Sequence, residues 1–513
     1  GDKCSISAKN GTVNTISDGT SYTNADSGVG AIYAHDDITF KGKGALNVNG
    51  NCEDAIVCKN DIRINNGNLN VTAADDGIRG KDSVRIGNPD DTDYSGLNVT
   101  VNAKGGDGIK STETDTTSGK GYVEVNGGTV NITAYSDGIQ ASQLLTVNDG
   151  DITIKTTAPQ SSSGGSDKPG GGGWGGGSWG GNSGSTTSDD TSAKGLKAGG
   201  DIKISNATIT TDTSDDSIHS NSNVTIESGT FNLKSGDDGI HADTSTVINN
   251  GNIVIEKSYE GIEGSNVTIN GGTIELTASD DGINSAGGSD SSSMGGRMGQ
   301  NSFTENSDIY IKITGGKVTV DASGDGLDSN SNLIIEGGEI YVNGPTNDGN
   351  GALDYDGTAT ISGGTFVAVG SSGMVQGFSD NSTQCSILYN LSSSHSTDEK
   401  ITLADSSGNE ILSYTATKQF SSVVVSSAKI TKSGAYKLTV GSESYDIEMS
   451  STVYSNGSNG FGGGGMRGNK PNGFGRGNNG NPPDGNPPQM PNGENSGMTP
   501  PDKPSRETST TNT

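Results

Sequence analysis

Positive charge, aromatic rings and long apolar runs are all scarce in this chain, and each scarcity removes a class of function. Of 513 residues only 32 are Lys or Arg against 61 Asp or Glu, a formal net charge of −29 at pH 7. A surplus that one-sided cannot cradle a polyanion directly, so nucleic acid is not an expected partner. No stretch approaches the roughly 18 consecutive apolar residues of a spanning helix, so no membrane span is expected in this sequence. Four cysteines, Cys4, Cys52, Cys58 and Cys385, lack the paired C-x-x-C spacing of a zinc site. Cys4 and Cys58 fall in phases where neighbouring repeats carry small or apolar inward residues, so buried thiols are as well supported as a disulfide. The opening GDKC holds no basic-then-apolar leader; an export signal, if the protein has one, is expected to have been removed or to lie outside this sequence.

Glycine, by contrast, is abundant: 83 residues, about 16% against an ordinary usage of about 7%. Much of it sits in a recurring phrase of acid, Gly and Ile, seen as EDAI ending at Ile56, DDGI at Ile78, GDGI at Ile109, SDGI at Ile139, DDSI at Ile218, DDGI at Ile240, YEGI at Ile262, DDGI at Ile283 and GDGL at Leu327, with a variant AKGL at Leu196. From Leu196 to Ile283 the copies are 22, 22, 22 and 21 residues apart. Each period also carries an x-V/I-x-I strand, such as NVTI at 223–226, and a second strand, such as TFNL at 230–233; Gly-Gly bends recur nearby, as at Gly271-Gly272. Alternation with period two, rich in β-branched residues, is strand grammar. Glycine permits the positive φ that a two- or three-residue bend needs.

A unit of about 22 residues cannot bury its own Ile and Val, but stacking in-phase turns places each inward side chain on its counterpart and pairs every strand with the next turn. The fold expected is all-β: a parallel β-helix of about 12 turns over residues 1–370, roughly 55 to 60 Å long at about 4.8 Å per turn. Gly/Ser-rich insertions at 158–192 and 286–307 interrupt it without changing phase. Residues 371–455 lose the period but keep strands, which predicts a small antiparallel β cap. The Gly, Asn and Pro tail from 456 to 513 is expected to be disordered and to serve as a tether to a cell surface.

The repeating DDGI/SDGI turns, together with GSSGMVQ, QCSILYNL, ITLADSSGNEILSY and the SSVVVSSAKITKSGAYKLTVG close, resemble the bacterial carbohydrate-binding β-helix family of cellulolytic clostridia over about residues 20 to 450. That resemblance implies a right-handed helix similar to pectate lyases, bound Ca²⁺, and binding of cellulose and of acidic sugars such as polygalacturonate without cleavage. A secreted or cell-surface protein whose partner is plant cell-wall polysaccharide is expected on this basis.

Stacking would align the acids of the phrase in one column, where like charges about 4.8 Å apart repel by about 3 kcal/mol per pair at an effective dielectric near 20. Ca²⁺ would offset this, and the turns with doubled acids, Asp75/Asp76, Asp215/Asp216, Asp237/Asp238 and Asp280/Asp281, are the expected metal sites. An Asx-turn ladder needing no metal is the alternative. The residue after each Ile reads Arg79, Lys110, Gln140, Lys197, His219, His241, Glu263, Asn284 and Asp328. The cations and histidines among them, Arg79, Lys110, Lys197, His219 and His241, either meet sugar carboxylates or neutralise the column. Trp174 and Trp179 in the first insertion are candidate glycan-binding rings, with outward Tyr310 and Tyr341 on a strand face. A Ca²⁺-dependent lyase would need a Lys base, for which Lys194 or Lys197 is the candidate; a structural adhesin is the third class. The expectation is a binder with no catalytic residue.

Overall fold

The computed structural model describes residues 3–22, 30–159, 192–286 and 309–457. The chain divides into two compact units, 1–463 and 464–513, and the second lies wholly outside the described residues, as do most of the two Gly/Ser-rich insertions and nearly all of the tail.

Up to Gly370 the described residues of the first unit form a parallel β-helix. Short strands such as Ile78–Gly80, Ile109–Ser111 and Ile139–Ala141 make one column, and strands such as Asp61–Ile64, Ser83–Ile86 and Tyr122–Val125 make a second. Both belong to a 23-stranded sheet. Longer strands such as Gly67–Ala73, Leu97–Ala103 and Thr129–Ala134 make the third column, inside a 16-stranded sheet. Three strands per turn is the arrangement the sequence period implies. Each strand pairs in parallel with its equivalent one turn on, so the apolar positions fall in line. Ile32, Ile56, Ile78, Ile109, Ile139, Leu196, Ile218, Ile240, Ile262, Ile283, Leu327 and Leu353 form one unbroken column. From Ile56 onward these side chains are fully buried in a single apolar core. Register survives both insertions, since Ile139 pairs with Leu196 and Ile283 with Leu327.

Two kinds of glycine hold this stack. At the bend before the third column, Gly128, Gly272 and Gly316 have φ of 92°, 89° and 84°, a left-handed conformation that L side chains adopt only with strain. The glycine of the acidic phrase serves close approach instead. A Cβ on Gly138 would lie 2.7 Å from the carbonyl oxygen of Gly195 in the next turn and against Ile154, and one on Gly108 would lie 2.6 Å from that of Gly138. Neither spacing is possible for a side chain.

The parallel register ends at Gly370. Strands Phe420–Ser426 and Ser386–His395 then continue the third-column sheet in antiparallel sense, and Val453–Ser455 adds to it in parallel. A separate four-stranded antiparallel sheet, in the order Glu410–Thr415, Lys400–Asp405, Ala435–Val440 and Glu443–Glu448, packs with them around a second core containing Ile401, Leu403, Phe420 and Leu438. All four cysteines are unbridged thiols; Cys58 is buried, whereas Cys4 is exposed. Its strand, Lys3–Ala8, pairs with Asp37–Gly42.

Gly138→Ala is expected to lower unfolding stability by about 1 to 3 kcal/mol through overpacking, while Thr153→Ala on an exposed strand face changes it by less than about 0.5 kcal/mol. Urea midpoints of the two variants measure the difference.

Candidate functional site

The aspartates of the repeating phrase do stack in a column, but they are buried: Asp54, Asp76, Asp107, Asp137, Asp216 and Asp238 are all at most 6% exposed. Their two oxygens have different tasks. Oδ1 of Asp54 accepts the N–H of Asp76 at 3.1 Å, Oδ1 of Asp76 that of Asp107 at 2.9 Å, Oδ1 of Asp107 that of Asp137 at 3.0 Å, and Oδ1 of Asp137 that of Lys194 at 2.9 Å. The series resumes with Asp216 to Asp238 at 2.9 Å and Asp238 to Glu260 at 3.2 Å, then Asp281 to Asp325 at 2.6 Å and Asp325 to Gly351 at 2.5 Å. The hydrogen bonds run from turn to turn, not within one Asx turn. An Asn row at another bend does something similar, Asn148 donating to Asn126 Oδ1 at 2.8 Å and Asn270 to Asn249 Oδ1 at 2.8 Å.

Oδ2 remains for a counter-charge, and in the early turns the residue after the Ile or Leu of the next turn supplies it. Arg79 pairs with Asp54 and sits 3.6 Å from Asp76; Lys110 Nζ lies 2.7 Å from Asp76 and 3.0 Å from Asp107; Lys197 Nζ lies 3.1 Å from Asp137. The cationic row therefore neutralises the column, one of the two roles its residue types allow. His219 and His241, from the same row, are 4% and 2% exposed, because each ring folds back onto the column acid three residues before it. Lys194 is likewise buried, its ammonium 2.9 Å from Asp215 and 2.6 Å from Asp216. Burial alone would raise Asp216, but Lys194 and His219 overcome it and hold the carboxyl well below its ordinary range. Trp174 and Trp179 lie outside the described residues.

Further along, the same row becomes Glu263, Asn284, Asp328 and Asp354, and the compensation stops. Carboxylate oxygens converge within 4.8 Å at Asp54/Asp75/Asp76, at Asp215/Asp216/Asp237 and at Asp281/Asp325/Asp328. Arg79 pairs into the first group and Lys194 into the second. Among the described residues no Lys, Arg or His pairs with the third. Burial, with the charges of Asp354 and Asp280, pushes Asp325 up to about 7; burial and the neighbouring acids raise Asp281 and Asp328 well above the usual carboxylate range. Asn284, 5% exposed and in register with Asp328, donates Nδ2 to Glu260 Oε2 at 2.9 Å, while its Oδ1 has no hydrogen-bond partner among the described residues. An oxygen-only donor set with an orphaned amide oxygen fits a hard cation. Of the four doubled acid pairs expected to bind metal, Asp280/Asp281 alone adjoins this uncompensated stretch; Asp75/Asp76 and Asp215/Asp216 adjoin protein cations, and Asp238 faces His241.

A second feature lies where the helix meets its cap. Lys317, Thr319 and Tyr341 of the last third-column strands face Lys400, Ser413, Tyr414 and Thr415 of the four-stranded sheet across a cleft of about 340 Å³. The Tyr341 and Tyr414 rings stack with centroids 5.3 Å apart and planes at 11°, and Tyr414 Oη donates to Asn343 Oδ1 at 2.9 Å. Lys317 and Lys400 are exposed. Tyr341 was legible as an outward aromatic; Tyr414 and Lys400 gave no signal, because the cap strands have no repeat to reveal their facing.

No helix among the described residues is long and apolar enough to cross a membrane. No curated protein and no solved structure matches the chain. A family model described as carbohydrate-binding domain-containing protein matches residues 1–239, 222–302 and 239–466, which together take in both the ladder and the cleft. The chain belongs to the carbohydrate-binding domain-containing family.

Proposed function

We propose that this protein is a non-catalytic, calcium-binding receptor for plant cell-wall polysaccharide, cellulose or polygalacturonate-type acidic glycans, acting outside the bacterial cell or at its surface. The observation that carries the reading is the Tyr341/Tyr414 cleft. Sugar rings present apolar C–H faces that match aromatic surface, and a parallel pair of tyrosines already held by packing and by the Asn343 hydrogen bond loses little entropy on binding. Lys317 and Lys400 line the cleft with positive charge, Lys400 while in an exposed pair with Glu410 at 3.5 Å, and they suit a uronate carboxylate.

Ca²⁺ would be held by Asp281, Asp325 and Asp328 with Asn284 Oδ1. There it would offset the surplus charge and offer open positions to acidic sugar oxygens. The lyase alternative loses support from geometry. Lys194 and Lys197 each hold their ammonium protons against buried carboxylates, the opposite of what a proton-abstracting base requires.

Tyr414→Ala and Lys317→Ala are each expected to weaken binding to polygalacturonate or insoluble cellulose at least about tenfold, about 1.4 kcal/mol, in affinity electrophoresis and pull-down. The native protein with Ca²⁺ is expected to release no unsaturated uronate absorbance from polygalacturonate; retained Tyr414→Ala binding would remove the cleft from the reading.

The metal assignment has its own check. Asp325 is held at about 7, and Asp54 and Asp107 at about 6, chiefly by burial, against about 3.9 in an unfolded chain. Acids raised in this way stabilise the fold most when protonated, and that contribution is lost as pH rises from about 4 through about 7. In chelator, the urea midpoint is therefore expected to fall between pH 5 and pH 8. Added Ca²⁺ is expected to reverse part of that fall, and Asp325→Asn to reduce both effects.

A further inference from the structure

Midway along the column, where the row changes from cationic to acidic, two histidines face four carboxylates, three of them around a single ring. His219 and His241 are neighbours in register, their rings stacked with centroids 4.8 Å apart at 11°. Nδ1 of His241 faces Glu263 Oε2 at 2.6 Å and Asp238 Oδ2 at 3.2 Å, and Nε2 of the same ring faces Asp243 Oδ1 at 3.3 Å. One ring nitrogen thus confronts two carboxylate oxygens at once, and a single proton can lie on a good line to one of them only.

We propose that Asp238 Oδ2, His241 Nδ1 and Glu263 Oε2 form a site for a borderline divalent transition cation of the Zn²⁺ class, separate from the hard-cation site. Three lines of geometry meet there. The three ligand atoms converge within 4.8 Å, close to the spacing of donors that share an ion about 2.0 to 2.2 Å away. Asp243 on Nε2 is the outer carboxylate that fixes which ring nitrogen is bare, as at histidine–metal centres generally. Access is available from one side, since the Glu263 and Asp243 side chains are 19% and 26% exposed while His241 is 2% exposed. An imidazole nitrogen in the donor set selects against Ca²⁺, which prefers oxygen alone. The neighbouring group of Asp216, His219 and His241 also converges, but Asp216 Oδ2 is taken by Lys194 at 2.6 Å. The acidic row therefore starts with a site for a softer ion and ends with one for a harder ion, and the proposal does not depend on the sugar-binding reading.

The test is calorimetric titration of the full chain, purified without a histidine tag and stripped with chelator, using Zn²⁺ in the presence of excess Ca²⁺. One Zn²⁺ per chain is expected, undisplaced by Ca²⁺, and Co²⁺ in its place is expected to give visible d–d absorption. Glu263→Gln, isosteric and partly exposed, and His241→Ala are each expected to weaken Zn²⁺ binding at least about tenfold and to abolish the Co²⁺ spectrum, whereas Asp328→Asn leaves both unchanged. Melting curves of the variants without metal show that they fold. Absence of stoichiometric Zn²⁺ binding, or binding untouched by Glu263→Gln, overturns the proposal; if His241→Ala fails to fold, Glu263→Gln and the Co²⁺ spectrum decide it alone.

Discussion

The structure depends on what one carboxylate does with its two oxygens. In a parallel β-helix each turn must hydrogen-bond to the next, and at the tight corner before the Ile strand a side chain takes over that duty: Asp Oδ1 accepts the N–H of the acid one turn on. Asparagine could do as much, and does so at another bend. Only aspartate leaves a second, charged oxygen that must be satisfied from beside the column. Every later choice along that edge follows from the need to place positive charge, a proton or an ion against Oδ2, because an unpaired buried charge is far more costly than a neutral polar group.

The chain meets that need differently along its length. Arg79, Lys110 and Lys197 meet it with side chains from the same row, and Lys194 enters the column itself. His219 and His241 follow, and then Glu263, Asn284, Asp328 and Asp354 occupy the row with no basic residue at all. The result is a graded edge on a repetitive scaffold. Identical backbone positions carry closed ion pairs at one end and open carboxylate groups at the other, so ion chemistry can be localised without interrupting the stack. The same constraint explains why Arg79, Lys110 and Lys197 lie against the column: their reach is short, and a buried carboxylate one turn away is a close partner.

The cleft proposed for carbohydrate lies at the opposite kind of place, where the repeat stops. The stacked Tyr341 and Tyr414 come from two sheets that share no sequence pattern, one the last turns of the helix and the other the cap. A repeat presents the same surface over and over; a cleft with aromatic and cationic character requires two surfaces that differ, and the end of a solenoid provides them.

Sequence alone determined the periodic parts: three strands per turn, the Ile column, the Gly bends, the in-phase acids and the point near residue 370 where the period ends. These are legible because in-register stacking copies a one-dimensional pattern directly into space. Tertiary structure decided what periodicity does not encode, namely the direction of each long side chain beside the column and the meeting of helix with cap. Arg79 turning onto Asp54, His241 onto Glu263 and Tyr414 onto Tyr341 are all contacts between residues far apart in the chain or free to choose among rotamers. Burial and charge on neighbouring turns settle those choices, and they exist only once the turns are stacked.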